Sequence, residues 1–394
     1  MSQSALEQGE GALAGASRPL HMLVTLPWGE RLGGAEAMLQ TVLDGVQGTG
    51  HTIELVFFQD GPWPRELREA GFAVEVIPAG RMRDPLGWPR TVARLARLMR
   101  SRRPDVILNW AAKTQIYGSP AALLAGMSDR IVWWQQNVPS GNWIDRVATL
   151  LPARAVGCYS QAAARAQEGM WPKRDTFVVS AGAPAPAAES QEIALGLPPG
   201  VPVVGLVGRL QPWKGQDRML RAHAVLRDRG HSIHTLIVGG DAYGLSPEYA
   251  ASLPVLVRSL GLQDAVTMTD QVPDAGPYIE RMDILVNASD PEPFGIVLLE
   301  AMARGVAVVA VNSGGPAEFI EAGTTGLLAA SGEPEALADA LEPLLQDADL
   351  RARVAAAGRE RFLADFTDEA LRERFLRRFE ELVRSWDAGG KARA

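Results

Sequence analysis

The sequence predicts an α/β protein built from two Rossmann-like units that face each other across a cleft. Short apolar or β-branched runs alternate with helical stretches along most of the 394 residues, a pattern typical of parallel sheets covered by helices on both faces. Between Ser180 and Gly200 the alternation is interrupted by small residues and prolines without a strand signal, and it then resumes. We therefore expect two sheets that are joined by a linker.

The strands are assigned to runs of apolar and β-branched residues that end in polar or glycine-rich segments. The first unit, residues 19–182, is predicted to contain strands at His21–Leu26, Ile53–Phe58, Ala73–Ile77, Asp105–Asn109, Ile131–Trp134, Ala155–Cys158 and Thr176–Val179. A linker at residues 183–200 precedes the second unit, residues 201–366. Its predicted strands are Val203–Val207, Thr235–Val238, Val266–Met268, Ile284–Asn287, Val306–Val311 and Leu327–Ala329.

The two ends of the chain are assigned separately. Residues 1–18 are rich in Ser, Ala, Gly and Gln and are interpreted as a disordered leader. A closing helix is expected over residues 367–388, because Thr367 and the two acids after it form a good amino-terminal cap region. The sequence SWDAGG is expected to end this helix.

Composition and charge exclude several classes of protein. The single cysteine, Cys158, excludes an intramolecular disulfide and favours a reducing, cytoplasmic setting. No run approaches the roughly 20 apolar residues of a membrane-spanning helix. The net charge is −7, and residues 1–190 carry 19 Lys and Arg against 17 Asp and Glu, which is too weak a basic excess for a nucleic-acid-binding protein.

The segment DPEPFGIVLLEAMARG, residues 290–305, has the clearest chemical content. Glu292 lies in a turn after a strand, and Glu300 follows eight residues later on a helix expected to begin near Phe294. A rise of ~1.5 Å per residue puts the carboxylates roughly 9 to 12 Å apart, about the distance between the sugar and the ribose of a folded sugar nucleotide. Carboxylates accept hydrogen bonds from hydroxyls, and the amides of a helix start can hold a diphosphate. Alone, the pair is also compatible with a loop carboxylate and a solvated helix residue.

Two further segments follow the first strand of each unit. VGRLQPWKGQDRML places Arg209 and Lys214 just past Val203–Val207, at the edge of the sheet where open α/β folds bind ligands. Fixed cations there can neutralise a leaving diphosphate without a divalent metal ion. The turn Gly33–Gly34, which opens a helix of the first unit, can contact phosphate across the cleft. Taken singly, both segments are also compatible with solvated surface loops.

Together these segments resemble the retaining glycosyltransferases of family 4, which have the GT-B architecture of two facing Rossmann-like domains. The resemblance extends from GGAE at residues 33–36 to residues 306–328, which contain a glycine pair and a following glutamate. It implies transfer of a hexose from a UDP-, GDP-, ADP- or TDP-sugar to an unknown acceptor, which attacks the face that the diphosphate leaves. It also implies that no metal ion or other cofactor is required, and that the closing helix passes back over the first domain.

The resemblance implies roles for individual residues. The catalytic group would be Glu292, which binds hydroxyls of the transferred sugar, together with Arg209 and Lys214, which bind the diphosphate. Glu300 would bind the ribose. The other donor-binding positions would be Gly33, Gly34, Gln136, Gly208, Phe294, Gly295 and Ile296, with Gly33 and Gly34 contacting either the donor phosphate or the acceptor.

Two positions depart from the family pattern. Gln136 stands where the family usually has a histidine near the transferred sugar, and Thr269 replaces a glycine before the nucleotide pocket. An amide can still exchange hydrogen bonds with sugar hydroxyls. The departures leave open a non-catalytic subunit that binds a sugar nucleotide. An epimerase or phosphorylase of the same fold is the other alternative, although neither the paired acid and base carboxylates nor the cofactor lysine is found.

A basic stretch at residues 81–103 contains eight arginines and one acid, Asp84. Arg90, Arg94 and Arg97 share one helical face, so the stretch is interpreted either as a contact with anionic lipid at the inner face of a membrane or as a solvated face of an amphipathic helix. The five histidines form no evident dyad and are interpreted as structural. The motif Asp347–Ala348–Asp349 lies far from any strand end and is not expected to bind a metal ion.

The acceptor is expected to be bound by loops of the first unit at Pro27–Leu32, Asp60–Pro64 and Pro139–Trp143. These loops contain no motif that identifies a substrate, so the sequence leaves the acceptor open.

Overall fold

The computed structural model describes residues 18–31, 33–79, 86–186, 193–241 and 244–391. Most of the expected leader, six residues of the expected linker and residues 81–85 of the basic stretch lie outside the described residues. The strands are β1 His21–Leu26, β2 Thr52–Phe57, β3 Ala73–Val76, β4 Val106–Asn109, β5 Ile131–Gln135, β6 Ala155–Cys158, β7 Thr176–Val178, β8 Val203–Val207, β9 His234–Val238, β10 Val266–Met268, β11 Ile284–Asn287, β12 Ala307–Val311 and β13 Leu327–Ala329. Every strand expected from the apolar runs is confirmed, with ends that differ by at most one residue.

The helices alternate with these strands along the chain. They are α1 Gly34–Val46, α2 Pro62–Glu69, α3 Gly87–Arg102, α4 Ala112–Ala125, α5 Trp143–Leu150, α6 Gln161–Glu168, α7 Gln216–Asp228, α8 Pro247–Ser259, α9 Gly276–Ile279, α10 Ile296–Ala303, α11 Pro316–Phe319, α12 Pro334–Gln346, α13 Ala348–Asp365 and α14 Asp368–Lys391.

Both sheets are parallel throughout and follow the same topology. The first unit has the strand order β3-β2-β1-β4-β5-β6-β7, and the second has β10-β9-β8-β11-β12-β13. In each sheet the strand order reverses beside the first strand, between β1 and β4 and between β8 and β11. Because crevices form at the carboxyl ends of strands at such a reversal, each unit presents a ligand-binding edge there.

The closing helix α14 packs on the first unit. Phe375 of α14 contacts Trp110 and Trp134, whose rings stack 5.1 Å apart, and all three side chains are fully buried. At its start, Thr367 accepts a hydrogen bond from the amide of Ala370, at 3.3 Å, as an amino-terminal cap does.

The expectation that SWDAGG ends the closing helix is wrong, because α14 continues to Lys391. A glycine in a helix costs only about 1 kcal/mol relative to alanine. That cost is small beside the packing of the preceding turns, where Trp386 contacts the Arg154 guanidinium of the first unit at 5.0 Å.

The two units also contact each other next to the cleft. Glu318, at the start of the second unit's α11, accepts hydrogen bonds of 2.8 and 2.7 Å from the amides of Gln161 and Ala162. These amides belong to the first turn of α6 in the first unit, whose positive end favours a carboxylate.

Candidate functional site

A cavity of about 380 Å³ lies between the two units, at the carboxyl ends of β1 and β8. This volume is within the range of small-molecule sites. All the residues that the sequence analysis assigned to catalysis or donor binding line it: Gly33, Gly34, Gln136, Gly208, Arg209, Lys214, Glu292, Phe294, Gly295, Ile296 and Glu300. The fold therefore brings together segments that are more than 250 residues apart in the sequence.

Glu292 and Lys214, which both line the cavity, form an ion pair. The Lys214 Nζ lies 2.8 Å from Glu292 Oε2, and Asn287 Nδ2 donates to the same oxygen at 3.1 Å. Burial raises the pKa of Glu292, but the Lys214 ammonium and hydrogen bonds from Asn287 and Ser289 outweigh it and hold the pKa below its usual value. The carboxylate is therefore ionised at neutral pH. Lys214 also lies over the Trp213 ring, 4.1 Å from its centroid.

A glycine pair in the loop after β12 positions the turn that carries Glu292. Gly315 donates its amide to the Glu292 carbonyl at 2.8 Å, and Gly314 pairs with Glu292 in an isolated β-bridge. Gly314 has a φ of 77°, and a Cβ there would lie 2.1 Å from the Glu292 carbonyl oxygen. Only glycine fits this backbone approach, so the pair fixes the position of the turn that carries Glu292.

The helix after Glu292 begins two residues later than the sequence suggested. Gly295 has a φ of 94°, a left-handed conformation that cannot belong to a helix, so α10 starts at Ile296 instead of Phe294. Phe294 is buried against Phe319. The Ile296 side chain reaches across the cleft, where a Cβ on Gly34 would lie 2.9 Å from its Cδ1.

Arg209 differs from Lys214 in its surroundings. Within the described residues its guanidinium has no salt bridge or side-chain hydrogen bond, whereas its carbonyl accepts a 2.9 Å hydrogen bond from Gln216 that holds the loop. The charge of Arg209 acts on Glu36 of the first unit, but burial of that carboxyl is the stronger effect and raises its pKa to about 7. Arg209 is thus a fixed loop cation that faces the cavity.

Glu300 lies on α10 with its carboxyl in the cavity wall. Burial raises its pKa to about 7, opposed by the Arg304 guanidinium and reinforced by the Asp274 carboxylate. Arg304 Nη1 donates to the Glu300 carbonyl at 3.0 Å and so holds the end of α10. The interpretation of Glu300 as a solvated helix residue is therefore wrong.

Several cavity residues were not given an individual role from the sequence, although Trp28 lies in the loop Pro27–Leu32 that was expected to bind the acceptor. Trp28, Tyr159 and Trp213 each lie one to six residues after the end of a strand, and Glu36 lies in the first turn of α1. Their position after the strands is the signal that could have identified them, since these ends converge at the cleft.

The two departures from the family pattern have different surroundings. Gln136 lines the cavity, and its Nε2 donates to the carbonyl of Trp110 at the end of β4. Thr269 is not part of the lining; its hydroxyl accepts a 3.2 Å hydrogen bond from the amide of Gly239.

The remaining features lie outside the cavity. Each histidine has a polar partner elsewhere, Glu54, Glu380, Thr235, Glu342 and Thr267 respectively for His21, His51, His223, His231 and His234. Asp347 caps α13 by accepting from the Leu350 amide at 2.9 Å. Within the described ranges no cluster of three or more acidic, histidine or cysteine side chains is arranged to hold a metal ion.

Helix α3, the described part of the basic stretch, is amphipathic. Val92 and Leu95 are buried against the first sheet, while Arg90, Arg94 and Arg97 are exposed. None of the helices in the described part of the chain has the length and apolar character needed to cross a membrane.

Two family models match the chain. One describes a glycosyl transferase 4-like domain and matches residues 33–204, and the other describes glycosyl transferases group 1 and matches residues 188–361.

Similar proteins were found among curated sequences and solved structures. The lipopolysaccharide core biosynthesis glycosyltransferase LpsE of Rhizobium meliloti is 26% identical over 345 residues, 87% of this chain and 95% of that protein. The D-inositol 3-phosphate glycosyltransferase of Nocardia farcinica is 40% identical over 174 residues, 42% of this chain, and the match spans only 38% of that protein. Anabaena HepE, crystallised with UDP-glucose, has a TM-score of 0.77 and 24% identity over 92% of this chain and 100% of that chain. The structural likeness confirms the fold of two facing Rossmann-like domains.

Proposed function

We propose that this chain, which belongs to the group 1 glycosyltransferases, transfers a sugar from a nucleotide-diphosphate sugar to a hydroxyl-bearing acceptor with retention of anomeric configuration. Membership rests on the two family models, which together span residues 33–361. One observation carries the proposed reaction: Arg209, Lys214, Glu292 and the start of α10 converge on one cavity between the units.

The cavity provides positive charge for a diphosphate. Arg209 lies just past the carboxyl end of β8 and lines the cavity, and no described side chain forms a salt bridge with it. Guanidinium groups bind phosphate through paired hydrogen bonds. Lys214 adds a second cation that Glu292 holds in place at 2.8 Å. Fixed charges of this kind can stabilise a leaving diphosphate by several kcal/mol without reorganisation during the reaction, the role that a divalent ion has in metal-dependent enzymes.

The sugar is assigned to Glu292 and the ribose to Glu300. Glu292 is ionised at neutral pH, so that it accepts hydrogen bonds from sugar hydroxyls and orients the anomeric carbon. The acceptor hydroxyl attacks this carbon from the face that the diphosphate leaves. The bond to the phosphate oxygen breaks, and that oxygen takes the hydroxyl proton, so no protein base is needed in this step.

The nucleotide of the donor is open among uridine, guanosine, adenosine and thymidine diphosphates. A uridine donor is the first to test, because the similar Anabaena HepE was crystallised with UDP and with UDP-glucose. Ligand binding to the folded state raises the melting temperature. We expect one of UDP-, GDP-, ADP- and TDP-sugars to raise it in a concentration-dependent manner.

Donor hydrolysis tests the reaction itself. Purified protein with the selected donor and no added metal should slowly release nucleoside diphosphate, and Glu292→Gln should lower the rate by about 10- to 100-fold, since hydrogen bonds to charged groups contribute about 1.5–3 kcal/mol. Glu360→Gln, at an exposed carboxylate of α13, is the matched control. Binding without any release would favour the non-catalytic subunit, and no binding of any donor would contradict the proposed function.

The exposed arginines of α3 support a second proposed contact, with the anionic inner face of a membrane. Three of them, Arg90, Arg94 and Arg97, face solvent, and each basic residue near an anionic surface contributes about 1 kcal/mol. The buried single thiol of Cys158 is consistent with a reducing cytoplasmic location. Sedimentation with phosphatidylglycerol vesicles should decrease in an Arg90→Gln, Arg94→Gln, Arg97→Gln variant; unchanged binding would refute this contact.

A further inference from the structure

We propose that the acceptor carries an anionic group, a phosphate or a carboxylate, which Lys113 and Trp28 bind at the first-unit side of the cavity. This inference rests on the proposed function, since an acceptor exists only if the chain transfers a sugar.

Trp28 is the aromatic residue of the acceptor side. It follows β1 by two residues, lines the cavity and is 40% exposed, more than is usual for a large aromatic ring. The face of an indole ring can pack against a sugar or another partly apolar acceptor. The ring does not belong to the buried cluster of the first unit that contains Trp110 and Trp134.

Lys113 lies beside Trp28, which is itself part of the cavity lining. Its Nζ is 4.9 Å from the centroid of the Trp28 ring, and the residue is in the first turn of α4, at the carboxyl end of β4. β4 is the neighbour of β1 at the strand-order reversal, so Lys113 and Trp28 meet at the ligand-binding edge of the first sheet.

The Lys113 ammonium is partly desolvated without a countercharge. Within the described residues no carboxylate forms an ion pair with Lys113, and burial lowers its pKa. The other lysine of the cavity, Lys214, has Glu292 at 2.8 Å. The contact with Trp28 compensates the loss of hydration only in part, because a cation over an aromatic ring gains about 0.5–2 kcal/mol.

An anionic ligand fits these surroundings better than a neutral one. A phosphate or carboxylate beside Lys113 would form a charge-assisted hydrogen bond in a partly dehydrated site, where such a bond is stronger than in water. Lys113 lies in the first turn of α4, and the partial positive charge of a helix amino terminus also favours an anion. The amide side chains at the ends of β4 and β5 are neutral and have partners: Gln136 donates to the Trp110 carbonyl, and Asn109 Nδ2 donates to Gln115 Oε1 at 2.8 Å.

Calorimetric titration with matched probes tests the inference. The protein is first saturated with the nucleoside diphosphate found in the donor screen, so that Arg209 and Lys214 are occupied. Glucose 6-phosphate, glucuronate and glucose are then titrated. We expect the two anions to bind at least about tenfold more tightly than glucose, the effect of one hydrogen bond to a charged group.

Three variants separate the charge of Lys113 from its packing. Lys113→Met keeps an apolar stem over Trp28 and should abolish the preference for anions, whereas Lys113→Arg should keep it. Lys173→Met, at an exposed lysine of the first unit, should bind all three probes as the wild type does. Melting temperatures within about 2 °C of the wild type would show that the variants are folded, since 1 kcal/mol shifts the melting temperature by ~2–4 °C in chains of 150–250 residues.

A second experiment distinguishes a soluble phosphate ester from a lipid headgroup as the anionic acceptor. Vesicles of phosphatidylglycerol in phosphatidylcholine offer the same phosphate on a lipid, and a headgroup acceptor predicts vesicle binding that weakens in Lys113→Met. Donor hydrolysis by the wild type, with no anion preference that depends on Lys113 in either experiment, would overturn this inference alone. A wild type that releases no nucleoside diphosphate would overturn the proposed function and this inference together.

Discussion

Replacing Glu292 by glutamine tests its ion pair with Lys214 in the wall of the cavity. The Glu292 side chain is 8% exposed, and the Lys214 side chain, whose ammonium lies 2.8 Å away, is 17% exposed. Glutamine keeps the shape but leaves the ammonium beside a neutral amide, and removing one partner of a buried ion pair costs about 3–5 kcal/mol. The contact of Lys214 with Trp213 at 4.1 Å offsets about 1 kcal/mol of this. We expect the free energy of unfolding at pH 7 to fall by about 2–4 kcal/mol.

A double-mutant cycle isolates the pair from the rest of this loss. Lys214→Met alone leaves a buried carboxylate with hydrogen bonds from Asn287 and Ser289, so it should also destabilise. The double variant removes both charges. Its free energy of unfolding should fall by about 1–3 kcal/mol less than the sum of the decreases in the two single variants. Urea unfolding curves of the four proteins measure this difference. If the decreases in the free energy of unfolding add within about 0.5 kcal/mol, the two side chains do not stabilise the fold as an ion pair.

The same cycle has a predicted dependence on pH. The pKa of Glu292 is lowered in the folded state, so its contribution to stability is present above the ordinary pKa of about 4.3 and disappears as the pH falls through the lower folded value. Glu292→Gln should therefore be less sensitive to acid than the wild type below about pH 4. If the acid-unfolding curves of Glu292→Gln and the wild type are parallel, the pKa of Glu292 is not lowered in the folded state.

Three further substitutions probe other parts of the site. Arg209→Gln should weaken donor binding by about 10- to 100-fold in thermal-shift titrations and change stability by less than about 0.5 kcal/mol, with the exposed Arg353→Gln as control; unchanged affinity would exclude Arg209 from diphosphate binding. Gly314→Ala should abolish donor hydrolysis and cost more than about 2 kcal/mol, because its Cβ would meet the Glu292 carbonyl at 2.1 Å, whereas Gly230→Ala, also at positive φ but in open space, should cost only about 1 kcal/mol and stay active. Glu300 binds a proton in the folded state up to about pH 7 that the unfolded chain releases near pH 4.3, so the unliganded protein should lose stability as the pH rises between these values; Glu300→Gln should reduce this loss, and an unchanged slope would argue against the raised pKa.

Much of the fold could be predicted because its signals are local. Strands such as Ala155–Cys158 and Val203–Val207 are short apolar runs. A strand that is buried on both faces of a parallel sheet needs consecutive apolar residues, so the sequence alone indicates it. The end of α14 was misjudged for a non-local reason: Trp386 is held by Arg154, more than 200 residues earlier, and this contact outweighs the weak helix preference of the glycines that follow.

The sequence by itself determined the two parallel sheets and which segments meet at the cleft, because strand ends and glycine turns are local features that a fixed topology brings together. Only the tertiary structure decided what each charge faces. Lys214 is paired with Glu292, 78 residues away, whereas Arg209 and Lys113 form no salt bridge within the described residues. No local pattern encodes that difference, since burial and distance between remote segments arise only when both sheets are packed. It is this difference that assigns Arg209 to a diphosphate and Lys113 to an anionic acceptor as proposals for experiment.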